Sequence, residues 1–131
     1  MNEESLFLWI MMFICELLIP IIMIIIGVVF VKNPPKEING IYGYRTKMSR
    51  LNQDTWDFAH HYCGKLWFKI GCIMLPVSIL AMIILFGKSE NVIGIATTVI
   101  QTTQVVVLIV AIFPVEKALK ENFDKDGNRK K

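Results

Sequence analysis

The first 31 residues hold no lysine or arginine, and Val92 to Phe113 holds no charged residue of either sign. Two more stretches are nearly as bare. Leu6 to Val31 carries one formal charge, Glu16, and Trp67 to Phe86 carries only Lys69, near its start. Runs of this length without charge are not the solvent-facing helices of a soluble domain. The signatures of chemistry are also missing. There is no CxxC, no HExxH, no glycine-rich phosphate loop, and no nucleophile beside a base. The chain has 2 histidines and 3 cysteines. His60 and Cys63 stand at i and i+3 and can share a helical face, but a structural zinc site takes about four ligands. The Asp124-Lys-Asp-Gly run lacks the later ligands of a calcium loop. No metal, no cofactor and no catalytic residue are expected. Cys15 and Cys72 lie in apolar runs and Cys63 does not, so no disulfide is expected either.

What is present is apolar: 54% of the 131 residues are hydrophobic. A helix needs about 20 apolar residues to cross the hydrocarbon of a bilayer, and all three runs reach that length. The rest of so short a chain cannot cover three such faces in water, whereas lipid solvates them. The expected fold is therefore an all-α membrane protein with three transmembrane helices, spans about 6–31, 67–86 and 92–113, forming a single unit over 1–131. The leader is acidic, the first apolar run is too long for a signal peptide and no cleavage site follows, so the first span is expected to remain.

Charge sets the orientation. Thirteen of the 14 cations fall in the segment from Lys32 through Lys69 or in the tail after Pro114; Lys88 alone lies in the other loop. Short cationic loops stay in the cytoplasm, which puts the amino terminus outside, the 32–66 segment inside and the 114–131 tail inside. The net charge of +3 then reads as topology and contact with anionic lipid; nucleic acid is not an expected partner.

Within this frame, Pro20 should kink the first span, and Asn33-Pro34-Pro35 should stop it. Pro34 to Gly43 reads as loop. Ser49 or Asn52 can cap a helix that runs, with no breaker before Pro76, into the second span. This gives a cytoplasmic amphipathic helix leading into that span. A short amphipathic helix is expected over Glu116 to Phe123, and the charged stretch after it is expected to be disordered. Gly64 and Gly71 lie on one face and allow another helix to approach, a route by which a homodimer could form.

Two constellations stand out. Glu16, Ser78 and Gln101 lie at similar depths from the outer ends of their spans, with Gln104 one turn further on, forming an intramembrane polar layer. An acidic side chain at mid-span costs roughly 2.5–3.5 kcal/mol on insertion scales, so it has a partner or a task. The partner reading is a hydrogen bond from Glu16 to Gln101 or Gln104; the task reading is an ion or proton site. The second constellation is Asn39-Gly-Ile-Tyr-Gly-Tyr-Arg-Thr-Lys-Met-Ser49 with Trp56. Gly43 permits a backbone turn closed to other residues. Tyr42 and Tyr44 suit a headgroup layer, and Arg45 offers a planar donor fork for a carboxylate such as Glu116, a phosphate or backbone carbonyls.

The pattern Pro20, Gly27, Pro35, Asn39, Gly43-Tyr44-Arg45-Thr46, Ser49, Asn52, Trp56, Ala59, Gly64 and Gly71 resembles the SdpI/YfhL family of bacterial membrane proteins over about residues 18 to 86. The resemblance implies a multi-pass protein of a bacterial cell membrane, with Asn39, Gly43, Tyr44, Arg45, Thr46, Ser49 and Trp56 as core positions. The family takes its name from an immunity protein against a secreted toxic peptide that also holds a transcriptional repressor at the membrane. It therefore implies resistance to a membrane-active peptide toxin by binding. The alternatives are a scaffold that recruits a soluble regulator, or a small ion- or proton-linked transporter using Glu16.

Overall fold

Four helices account for most of the chain in the computed structural model, which describes residues 1–130: α1 (Glu3–Lys32), α2 (Gln53–Leu85), α3 (Glu90–Val110) and α4 (Ile112–Asn122). The fold is all-α, and three helices are long and apolar enough to cross a membrane: Glu3–Lys32, Gln53–Leu85, and the stretch Glu90–Asn122 that joins α3 and α4.

Local chemistry sets the ends. The Asn2 side chain accepts from the Ser5 amide to open α1, three residues earlier than the apolar run alone suggests. Asn52, not Ser49, caps α2. Its Oδ1 accepts from the Thr55 amide at 2.9 Å while Thr55 Oγ1 accepts from the Asn52 amide at 3.1 Å, satisfying two otherwise orphaned groups reciprocally. α2 then runs unbroken through Pro76 to Leu85. Ser89 caps α3.

α1 and α2 pack antiparallel and make the most extensive contact in the fold. Glycine makes it possible. A Cβ on Gly64 would stand 2.8 Å from the Gly27 carbonyl oxygen, and one on Gly71 would stand 2.9 Å from that of Pro20. Both obstacles are backbone, which cannot step aside. The glycine face, a possible route to a homodimer, is thus filled by α1 of the same chain.

Two apolar clusters close the ends of this pair. Phe30, Tyr44, Ala59, Cys63, Val115, Leu119 and Phe123 form one at the loop end. Met82, Leu85 and Ile93, with Trp9, Met12 and Phe13 packed against them, form the other; there Trp9 Nε1 donates to the Met82 carbonyl at 2.8 Å. Elsewhere large apolar side chains such as Phe7, Ile14, Ile73, Ile84, Ile95 and Ile109 are exposed, as expected of surfaces solvated by lipid.

The tail corrects the expectation of disorder. Residues 123–130 fold back on the start of α2, and Lys131, the last of the stretch expected to be disordered, lies outside the described residues. Phe123 is buried against Phe58, Asn52 Nδ2 donates to the Gly127 carbonyl at 2.7 Å, and Arg129 forms a two-pronged ion pair with Asp54 at 2.8 and 2.9 Å. Composition alone missed this because its charges find a specific partner.

Gly64→Val should destabilise the protein by about 1–3 kcal/mol, the usual cost of overpacking. Gly94→Ala, whose Cβ meets nothing within 4 Å, should be neutral. Thermal unfolding in detergent compares the two.

Candidate functional site

The loop motif is a lock built around Tyr44. Gly43 has φ of 117°, and a Cβ there would lie 2.5 Å from His60 Nε2, so only glycine brings the chain this close to α2. The next amide, that of Tyr44, then donates to His60 Nε2 at 2.8 Å. An amide can only donate, so Nε2 carries no proton, and His60 Nδ1 carries it to the Trp56 carbonyl at 2.8 Å. With both ring nitrogens engaged, His60 has no lone pair for a metal. The Tyr44 hydroxyl reaches α4 and donates to Glu116 Oε1 at 2.7 Å. Burial first, and then the Glu116 carboxylate, raise the phenol above its ordinary range.

The other motif residues brace this joint. Ser49 and Thr46 bond reciprocally, the Thr46 amide to Ser49 Oγ at 2.9 Å and the Ser49 amide to Thr46 Oγ1 at 3.2 Å, while Ser49 Oγ donates to the Tyr44 carbonyl at 2.9 Å. Trp56 is fully buried, and its Nε1 donates to the Pro35 carbonyl at 2.7 Å. Asn39 Oδ1 accepts from the amides of Ile41 and Tyr42 at 2.9 and 2.7 Å, folding the loop tip. Arg45 is exposed and donates to the Gly40 carbonyl. It does not reach Glu116, because Tyr44 takes that carboxylate. The structure therefore brings Gly43, Tyr44, Thr46, Ser49 and Trp56 into one network and leaves Arg45 at its edge. His60 is the member that the sequence motif left out. The i, i+4 spacing from Trp56 puts both rings on one face of α2, which is the signal the sequence carries for it.

The polar layer lies between the two apolar clusters. Glu16, Ser78, Thr97 and Gln104 are all buried, and Gln101 is half-buried. Pro20 has no amide hydrogen, so the Glu16 carbonyl four residues earlier loses its helical donor. Gln104 of α3 replaces it: Nε2 donates to the Glu16 carbonyl at 2.9 Å and to Ser78 Oγ at 2.8 Å. The expected bond from the Glu16 carboxyl to Gln104 is thus corrected, because the carboxamide hydrogens serve the carbonyl that Pro20 freed. Glu16 Oε2, Gln101 Oε1 and Gln104 Oε1 are buried without a partner.

Three apolar helices of bilayer length closed by an interlocked loop define a candidate multi-pass helical membrane protein. Residues 36–115 match the SdpI/YfhL protein family, and the chain belongs to that family. It is 37% identical over 59 residues to the uncharacterized protein YfhL of Bacillus subtilis (strain 168), a match covering 45% of this chain and 54% of that protein. The chain thus aligns with about half the length of that curated relative. No solved structure matches it. The matched residues include the whole motif loop, Ser78, Gln101 and Gln104, but not Glu16, Pro20 or Gly27.

Gln104→Leu should cost about 1–3 kcal/mol by orphaning the Glu16 carbonyl. The loss should shrink in a Pro20→Ala background, where the helix supplies its own donor again; a double-mutant cycle by unfolding in detergent measures this. A second expectation concerns acid. His60 lies in the polar first half of α2, ahead of the apolar stretch, and burial lowers its pKa from the ordinary value. The stability that its neutral form contributes is complete above about pH 6.5 and is lost as pH falls toward the folded value. Trp56, with its ring 4.3 Å from His60, should lose fluorescence over that window in a chain whose other tryptophans are replaced by phenylalanine, and His60→Gln should abolish the transition.

Proposed function

We propose that this chain is a membrane immunity-type protein that gives resistance to a membrane-active peptide toxin by binding it, without catalysis. The observation that carries this reading is membership of the SdpI/YfhL family over residues 36–115, a match that includes the interlocked loop. In this reading all 131 residues act as one three-span unit. The amino terminus lies outside, and residues 32–66 and the tail lie in the cytoplasm, as the distribution of lysine and arginine favours. Residues 53–66 of α2 stand at the inner membrane surface and lead into the second span. Toxin meets the exposed apolar faces of the spans or their outer ends. Asn39, Gly43, Tyr44, Thr46, Ser49 and Trp56 hold the inner end in one shape, since their hydrogen bonds go to one another, to the backbone, and through Tyr44 to His60 and Glu116.

A second reading, a scaffold that recruits a soluble regulator, is favoured by one feature. The loop tip displays Ile41, 91% exposed, next to exposed Tyr42, Arg45, Lys47 and Arg50. A bulky apolar side chain ringed by cations suits a partner surface or the lipid headgroups.

Expression in a toxin-sensitive bacterium should raise survival under the cognate peptide, and Tyr44→Ala, which removes both the Glu116 bond and the ring from the core, should lower it. Unchanged killing with the protein intact in the membrane counts against the immunity reading. An Ile41→Asp, Arg45→Ala pair that leaves protection untouched but abolishes binding of a purified regulator would favour the scaffold instead.

A further inference from the structure

The polar layer opens onto a groove of about 470 Å³ between α1 and α3, lined by Glu16, Thr97, Thr98, Gln101 and Thr102 among apolar neighbours. Its polar lining consists mostly of acceptors. Thr97 Oγ1 donates to the Ile93 carbonyl at 2.7 Å, Thr98 Oγ1 to that of Gly94 at 2.7 Å, and Thr102 Oγ1 to that of Thr98 at 2.8 Å. Each hydroxyl has spent its one hydrogen on its own helix and has only lone pairs left to offer.

Three buried oxygens of the layer have no partner: Glu16 Oε2 and Gln101 Oε1, on residues that line the groove, and Oε1 of Gln104, which is bonded to the Glu16 carbonyl. The Gln104 oxygen cannot be exchanged for its nitrogen by turning the amide over. Its Nε2 serves the Glu16 carbonyl, which accepts only, so the oxygen must point away from that bond. Glu16 is 1% exposed, and its side chain lines the groove with one carboxyl oxygen unmatched. No lysine, arginine or histidine lines the groove. The groups around Glu16 are Ser78 from α2, Thr97, Gln101 and Gln104 from α3, and Met12 and the Cys15 thiol on α1 itself. A lone carboxylate among surplus acceptors, with apolar helices around it, calls for one positive charge. Oxygen ligands and a single negative charge suit a hard monovalent ion, since calcium sites draw on several carboxylates.

We propose that the Glu16 layer binds a single positive charge, a proton or a sodium-class cation, held between the Glu16 carboxyl and the carboxamide oxygens of Gln101 and Gln104. As a proton it sits on Glu16 and is donated to one of those oxygens. As a metal ion it is ligated by all three. The site does not depend on the toxin reading; Gln101 and Gln104 lie within the residues that match the family, and Glu16 lies outside them.

The full chain in lipid nanodiscs tests this. Thermal stability is read in sodium chloride against choline chloride at equal ionic strength, from mildly acidic to alkaline pH. In parallel, the infrared band of protonated carboxyl is taken as the difference between the wild type and Glu16→Gln. A Glu16 band in acid, with Glu16-dependent stabilisation as pH falls, identifies the proton. Loss of that band when sodium replaces choline, with a melting temperature raised by sodium at alkaline pH, identifies the metal ion. Acid acts on His60 in the opposite direction, so the sign separates the two groups. If Glu16→Gln does not fold, Gln101→Leu takes its place: it leaves the carboxyl in position and should shift the band and weaken any sodium effect. A wild-type chain indifferent to sodium, with no protonated-carboxyl band sensitive to Glu16 or Gln101 at any pH, overturns the proposal.

Discussion

Backbone-to-backbone contact between α1 and α2 sets the register for every other feature. Gly27, Gly64 and Gly71 remove the side chains that would hold the helices apart. Hydrocarbon offers no hydrophobic force to pull helices together, so close packing and polar bonds must do it. With the pair in place, Phe30 meets the lock around His60 at one end and Trp9 reaches the Met82 carbonyl at the other. Glu16 comes level with Ser78 between them. Both constellations depend on this one approach.

The middle of the bundle shows how a local defect is compensated at a distance in sequence. Proline in α1 frees a carbonyl, and a glutamine 84 positions later supplies the missing donor. In water the freed carbonyl would simply be hydrated. Inside three apolar helices the repair must come from a neighbour, which ties α3 to α1 in the middle of the bundle, below their apolar contact around Ile93. Because the amide hydrogens of Gln104 are committed, its oxygen is left over, and so is the Glu16 carboxyl. The surplus of acceptors follows from the repair.

Much of the fold was legible from the chain because length and charge are one-dimensional properties. Three runs with at most one charge each could be read directly, as could the break at Pro34-Pro35, while the cap of α2 was narrowed to Ser49 or Asn52. What required three dimensions was lost. The partner of Tyr44 is Glu116, 72 residues further on, in the helix that continues α3, so no local spacing announces it. For His60 no metal was expected, but the sequence did not show that its partner is the Tyr44 amide, 16 residues earlier. The charged tail looked unstructured, yet Arg129 finds Asp54 75 residues away. The glycine face was read as a place of close approach, and the helix that fills it is α1 of the same chain. Spacing shows that a face is thin, not which helix will fill it. The resemblance was placed at about residues 18 to 86, whereas the family match runs over 36–115, so α3 belongs to the shared unit and the Pro20 region stands outside it.

Tyr44 is attached at both of its ends, by its amide to α2 and by its hydroxyl to α4. Neither helix can swing away from the other without dragging the intervening strap of chain. Parting α2 from α4 at this end would therefore carry the loop tip along, and Ile41 and Arg45 stand on that tip.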